Sequence, residues 1–244
     1  MSLKINTITV PFILNVSVNA YLLTSNDGFV LIDTCRGGKR RAVEEALRTA
    51  GCQPGDLKLI VLTHGDFDHS GNARYLGERF GAPIAMHHDD VGMVEFGDMT
   101  WNRNKPNIVI GTLMDLLYKL GEADRFGPQV LLREGDDLRD YGLEATVVEI
   151  PGHSKGSIGL LTPDGHFFCG DLLANTGKPD LWSIIDDRQA AQASVDKLKG
   201  YAIKTTYPGH GRPFPMAEFW VGWSDVGGQV VDHAEQADGQ QQGA

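Results

Sequence analysis

The sequence predicts a layered α/β fold, and three observations carry that prediction. Short apolar runs alternate with helix-period segments through both halves of the chain. Some of these runs, such as Leu59–Thr63, show no polar alternation, the mark of strands covered on both faces. With 244 residues, 41% of them hydrophobic, the chain can bury one sizeable core. A single domain over residues 1–223 is therefore expected rather than two small ones.

The elements follow in chain order. The opening segment reads as strand; it has no basic stretch followed by a compact apolar core and a small-residue cleavage site, so it is not read as a signal peptide. Val18–Leu23 and Phe29–Asp33 read as two strands joined by a turn at Ser25-Asn26-Asp27-Gly28. Lys39–Ala50 reads as a helix with Ala42, Val43, Ala46 and Leu47 on one face. The strand Leu59–Thr63 runs directly into HGDFDH, followed by a helix over 71–80 and a strand at Pro83–His87. Residues 89–128 break the rhythm. They hold Met93, Phe96, Met99 and Trp101, then an amphipathic stretch Asn107–Leu120, and read as a helical insert. Strands resume at Ala145–Ile150, Ser157–Leu161 and Phe167–Cys169. A helix over Asp187–Lys199 and a strand at Thr205–Tyr207 lead into PGHG. Residues 224–244 are polar and rich in Gln and Gly, the composition of a disordered tail.

Composition narrows the function. With 32 acidic against 22 basic residues the formal net charge is −10, which disfavours a nucleic-acid surface built from clustered Lys and Arg. No apolar run approaches the roughly 18 residues of a membrane span. The three cysteines, Cys35, Cys52 and Cys169, form no CxxC pair and read as small buried hydrophobes in a reducing, cytoplasmic compartment. The expected partner is a small-molecule substrate, with no nucleic acid and no membrane; the insert leaves a homodimer contact open.

The chemistry concentrates in a few short segments. His64, Asp66, Asp68 and His69 lie within one tight loop after a buried strand. His153 and His210 each follow a strand and a Pro-Gly pair that turns the chain sharply, and Asp171 follows another apolar run. Neutral imidazole and carboxylate suit zinc, iron or manganese. Any one of these residues alone would be an ordinary strand-end cap; their joint placement at strand ends, where open α/β sheets hold their sites, carries the metal reading. His87 and His88 read instead as a polar strand end near solvent.

These motifs resemble the metallo-β-lactamase superfamily over about residues 16–213. The resemblance implies an αββα sandwich with the site at one edge between the sheets, and a pair of divalent ions, zinc foremost, with iron or manganese compatible. It implies that His64 and His153 hold the first ion, that Asp68, His69 and His210 hold the second, and that Asp171 bridges the two. Asp68 would also pass a proton to the leaving group, and Asp33, matching the family's first motif, would orient the ligand loop. One residue departs from the pattern: the usual HxHxDH is here HGDFDH, with Asp66 in place of the middle His. Asp66 then ligates directly, contacts through water, or leaves a one-metal site; direct ligation is the reading adopted.

The activity implied is metal-dependent hydrolysis, with a metal-bound hydroxide attacking a small ester, lactone or thioester. The residue three after Asp171 is Ala174, where acyl-homoserine lactonases carry Tyr, which weakens the lactone case. The insert's Met93, Phe96, Met99 and Trp101, with Leu113 to Leu120, are expected to wall the site for an acyl group; the other reading of the insert is a helical hairpin that packs on the sandwich or on a partner chain. The alternative is a metal-binding scaffold or a redox- or oxygen-sensing protein with a non-hydrolytic site.

Overall fold

The computed structural model describes residues 3–12, 16–104 and 119–225. Most of the amphipathic stretch expected at Asn107–Leu120, and the tail beyond residue 225, lie outside these residues. The first sheet contains β1 (Lys4–Pro11), β2 (Ser17–Thr24), β3 (Phe29–Ile32), β4 (Leu57–Val61), β5 (Ile84–His87) and β6 (Val130–Leu132), side by side in that order. β1, β2 and β3 pair antiparallel, and β3 to β6 run parallel. The second sheet contains β7 (Thr146–Glu149), β8 (Ile158–Leu161), β9 (His166–Gly170), β12 (Thr205–Pro208) and β13 (Phe214–Pro215). A small ribbon, β10 (Leu173–Asn175) with β11 (Pro179–Leu181), stands between β9 and β12 in the chain.

Strand alternation sorts the side chains into layers. Leu22, Leu31 and Ile60 face outward from the first sheet and pack with Val43 and Leu47 of α1 (Arg40–Thr49) and Leu76 and Phe80 of α3 (Ala73–Phe80). Their sequence neighbours Tyr21, Leu23, Val30, Ile32, Leu59 and Val61 face inward and meet Val147, Ile158, Leu160 and Phe168 of the second sheet. The outer face of that sheet, through Val148, Phe167 and Cys169, is covered by Ala191, Val195 and Leu198 of α5 (Arg188–Leu198) and Phe219 of α6 (Met216–Asp225). The result is helix, sheet, sheet, helix. Each fully buried Leu, Ile or Phe contributes about 1.5–3 kcal/mol to this stack.

Three local differences from the expected elements have physical causes. The helix expected over 71–80 begins at Ala73 as α3, and a separate short helix, α2 (Phe67–Ser70), precedes it; between the two the Asn72 side chain donates to the carbonyls of Thr34, Cys35 and Arg36 at 2.7, 3.2 and 3.0 Å. β6, the β10–β11 ribbon, β13 and α6 were not expected; the strands among them are too short to establish a period. His87 is buried rather than solvent-facing, with Nε2 3.2 Å from Glu149 Oε1.

Candidate metal centre

The strands β3, β4, β7, β9 and β12 all deliver their C-terminal ends to one edge of the sandwich. Asp33 follows β3, His64 and Asp66 follow β4, His153 follows β7, Asp171 follows β9 and His210 follows β12; Asp68 and His69 lie in α2 (Phe67–Ser70). Parallel neighbours in each sheet make this possible, since parallel strands end on the same side. Tight turns do the rest. Gly209 has no room for a side chain, because a Cβ there would run into Asp171 Oδ1.

The structure brings every residue singled out for metal binding into contact. His64, Asp66 and His153 form one group of donors, and Asp68, His69 and His210 another, with all donor atoms within 4.8 Å of one another in each group. Asp171 lies between them. Its Oδ2 is 4.0 Å from His64 Nε2, 3.9 Å from His153 Nε2 and 3.1 Å from His210 Nε2, and its Oδ1 is 3.4 Å from His69 Nε2.

The four imidazoles are oriented alike. His69 Nδ1 donates to Asp33 Oδ2 at 2.9 Å, His153 Nδ1 to the Ile184 carbonyl at 2.6 Å, and His210 Nδ1 to the Ser17 carbonyl at 2.8 Å. Thr63 Oγ1 donates its single hydrogen to Asp33 Oδ2, so it accepts from His64 Nδ1, 2.9 Å away. With each Nδ1 occupied, every Nε2 points inward, the arrangement that carboxylate and carbonyl partners impose on metal-ligating histidines. Asp33 and Cys35 sit in the left-handed region at φ 57° and 58°, a conformation that Thr34 and Asn72 hold in place through their bonds to His69 and the 34–36 carbonyls.

Charge in the site is unbalanced without a cation. His64 Nε2, His69 Nε2 and Asp171 Oδ1 are buried with no hydrogen-bond partner, which is costly unless an ion engages them. The donors therefore fit a divalent metal. Burial opposes charge on Asp171, yet the neighbouring His210, His69 and His64 hold its carboxyl far below the usual range. Burial raises the Asp68 carboxyl, only partly offset by His69 and His210. Burial also disfavours a charged His69, but Asp171, Asp68 and Asp33 outweigh it and raise its pKa well above the ordinary value.

Three findings were not legible from the motifs. Asp90, buried after β5, accepts from Gly65 N at 3.1 Å, Ser154 Oγ at 2.6 Å and Gly156 N at 2.9 Å, joining the loop of His64 to the loop of His153. Trp182 stacks on His210 with ring centroids 4.4 Å apart, and Phe12 packs on the same ring at 5.5 Å. The insert was expected to supply an apolar wall. Met93 of α4 (Val91–Phe96) and Met99 instead go into the helix-side core, while Phe96 and Trp101 pack on each other at the surface; residues 113–118 of the expected wall lie outside the described residues. Among the described residues, the insert brings Arg103 into the site, where it pairs with Asp66 (Nη1–Oδ1 2.9 Å). It is the only Lys or Arg between Arg79 and Lys105, but nothing in the sequence marks its partner. Cys35, Cys52 and Cys169 are free and buried; burial pushes the Cys169 thiol well up, and Cys52 up to about 11. Among the described residues, His87, His88 and Asp89 form a further donor group, but His87 Nδ1 already accepts from Asp89 N.

Comparison with known proteins agrees with this geometry. The chain is 28% identical over 207 residues to a probable metallo-hydrolase, MJ0888, of Methanocaldococcus jannaschii, covering 80% of this chain and 88% of that one. It is 27% identical over 214 residues to the human acyl-coenzyme A thioesterase MBLAC2, covering 80% of this chain and 74% of that one. The crystal structure of TTHA1623 in a di-iron-bound form superposes with a TM-score of 0.65 at 27% identity, covering 87% of this chain and 95% of that one. Residues 14–210 match the sequence profile of the metallo-beta-lactamase superfamily, and with the αββα stack and its strand-end donors in place, the chain belongs to that superfamily of metallo-hydrolases.

Proposed function

We propose that this protein hydrolyses a small ester, lactone or thioester, a thioester foremost, at a site that holds two divalent ions. His64, Asp66 and His153 are assigned to the first ion, Asp68, His69 and His210 to the second, and Asp171 to both. The observation that carries this reading is the inward convergence of four Nε2 atoms whose Nδ1 partners are all fixed. Ions so held lower the pKa of a bound water toward neutrality and polarise a carbonyl oxygen. Imidazole-rich donors favour zinc, with iron the next candidate.

The residues around the ions have their own tasks. Asp68 lies 3.5 Å from His210 Nε2 and 3.8 Å from His69 Nε2, with its carboxyl raised by burial. A carboxyl group at this point is placed to pass a proton to the leaving group. Phe12 and Trp182 pack on the His210 ring, and Phe67 packs on Phe12 behind it. A cleft of about 320 Å³, lined by Phe12, Phe67 and Leu120 with Arg36 and Lys119, opens beside them. It offers room for an acyl chain and cations for an acidic group on it. The likeness to an acyl-coenzyme A thioesterase favours a thioester within the class.

The test is metal analysis of the purified protein followed by a panel of acyl thioesters, esters and lactones. Turnover that vanishes on chelation and returns with zinc or iron is expected. Asp68→Asn, assayed with metal supplied in excess so that both positions are filled, should lower kcat at least about a hundredfold. Absence of turnover on every class at full metal content would refute hydrolysis and leave the scaffold reading.

A further inference from the structure

We propose that Arg103 is a resident cation of the first metal pocket and that it makes the two metal positions unequal, the Asp68–His69–His210 position filling first. The inference rests on the metal-site reading above.

Arg103 grips Asp66 at two points. Nη1 is 2.9 Å from Oδ1, and Nη2 donates to Oδ2 at 3.1 Å. The two-point geometry matches guanidinium to carboxylate and is stronger than a single contact. Nη2 also lies 3.3 Å from His153 Nε2, the atom assigned to the first ion. Both side chains are only 15% exposed, so solvent screens the pair little.

The placement is built into the backbone. Arg103 Nη1 donates to the Met99 carbonyl at 3.3 Å. Next to it, Asn104 N donates to Asp186 Oδ1 at 3.0 Å and Asn104 Nδ2 to the Asp186 carbonyl at 3.1 Å. On the other side Asn102, in the left-handed region at φ 56°, donates to the Asp89 carbonyl at 3.2 Å. The 184–186 segment that anchors Asn104 is the one whose Ile184 carbonyl orients His153. Arg103 and His153 are thus set by one scaffold.

The consequence is an asymmetry of charge. An ion entering the first pocket must take Asp66 from Arg103 or share it, and it meets a fixed positive charge beside His153. In the second pocket, among the described residues, Asp68 and Asp171 have histidines as their only ion-pair partners. Two carboxylates with no fixed cation draw metal strongly.

The experiment is a titration of the chelated full-length protein with Co(II) or Zn(II) against a chromophoric chelator. Two steps are expected, the first tighter than the second by about a hundredfold or more. Arg103→Met should tighten the second step at least about tenfold and leave the first within about threefold. Arg103→Lys, which keeps the charge and loses the two-point grip, should fall between. Two equal steps in the wild type, or a second step that Arg103→Met leaves unchanged or weakens, would overturn the inference. Should Arg103→Met fail to fold by circular dichroism, the wild-type steps and Arg103→Lys decide it. A protein that takes up no ion overturns the metal-site reading and this inference with it; equal steps overturn this inference alone.

Discussion

The two halves of the site are built from the same parts, two imidazoles and one carboxylate each beside the shared Asp171, and differ in one cation. In the half formed by Asp68, His69 and His210, the ion-pair partners of the acid among the described residues are imidazoles. Asp33 supports His69 from behind, and Trp182 and Phe12 cover His210. In the half formed by His64, Asp66 and His153, an acid stands where the family pattern has an imidazole, and Arg103 already neutralises it. Burial alone would raise the Asp66 carboxyl, yet Arg103 and His153 outweigh it and hold it well below the usual range. The comparison teaches that metal-site geometry and metal-site charge are separable. The same convergence of Nε2 atoms is found in both halves, but among the described residues only one of them carries a fixed cation, Arg103.

The largest effect should come from the residue both halves share. Asp171→Ala is expected to abolish tight binding of at least one ion and to reduce turnover by more than the about ten- to hundredfold that loss of a supporting residue costs. Elemental analysis and steady-state rates measure both. Full retention of two ions would separate the halves and remove Asp171 as their bridge. Asp33→Asn probes one half alone. It breaks the acceptor for His69 Nδ1 and Thr63, so affinity at the second position should fall about ten- to hundredfold while the first is less affected. An equal loss at both positions would show that Asp33 supports the whole loop rather than His69.

Protons sharpen the same contrast. His69 and His210 are disfavoured as cations by burial, but Asp171 and its neighbours raise both above their ordinary value of 6.5. A folded pKa above the unfolded one gives stability that is complete below about 6.5 and lost as pH rises through the folded values. Asp171, held low, contributes throughout this window, and Asp68, raised, adds to the same loss from lower pH. The chelated protein should therefore melt at lower temperature as pH is raised above about 6.5. The loaded protein should not, because the ions replace the protons. A melting temperature of the chelated protein that is flat or rising over that range would contradict the assignment of raised histidines.

The smallest expected change is a shift of preference. Asp66→His removes the partner of Arg103 and restores an imidazole, so zinc should gain on manganese at the first position by about tenfold in competition binding. The same metal preference in both forms would place Asp66 outside the ligand set.

How much of this was legible in the sequence follows from the range of each interaction. The strands around the site were readable because an apolar run such as Leu59–Thr63 declares itself locally. The donors were readable because His64 to His69 are crowded into one loop and His153 and His210 follow Pro-Gly. Arg103 was not, since its partners Asp66 and His153 lie 37 and 50 residues away and no periodicity marks it. Asp90 is a similar case, 64 residues from Ser154. The solvent-facing reading of His87 failed for the same reason, its acceptor Glu149 being 62 residues distant. Pattern reports the local half of a site; single long-range contacts need the fold.

The central claim is that the convergent His and Asp side chains form a metal centre. Crystals of the purified protein, measured above and below the absorption edge of the bound element, test it directly. The account predicts an anomalous peak among Asp68, His69, His210 and Asp171, with a weaker one among His64, Asp66 and His153 at limiting metal. No peak in either place after reconstitution with zinc, iron or manganese would contradict it.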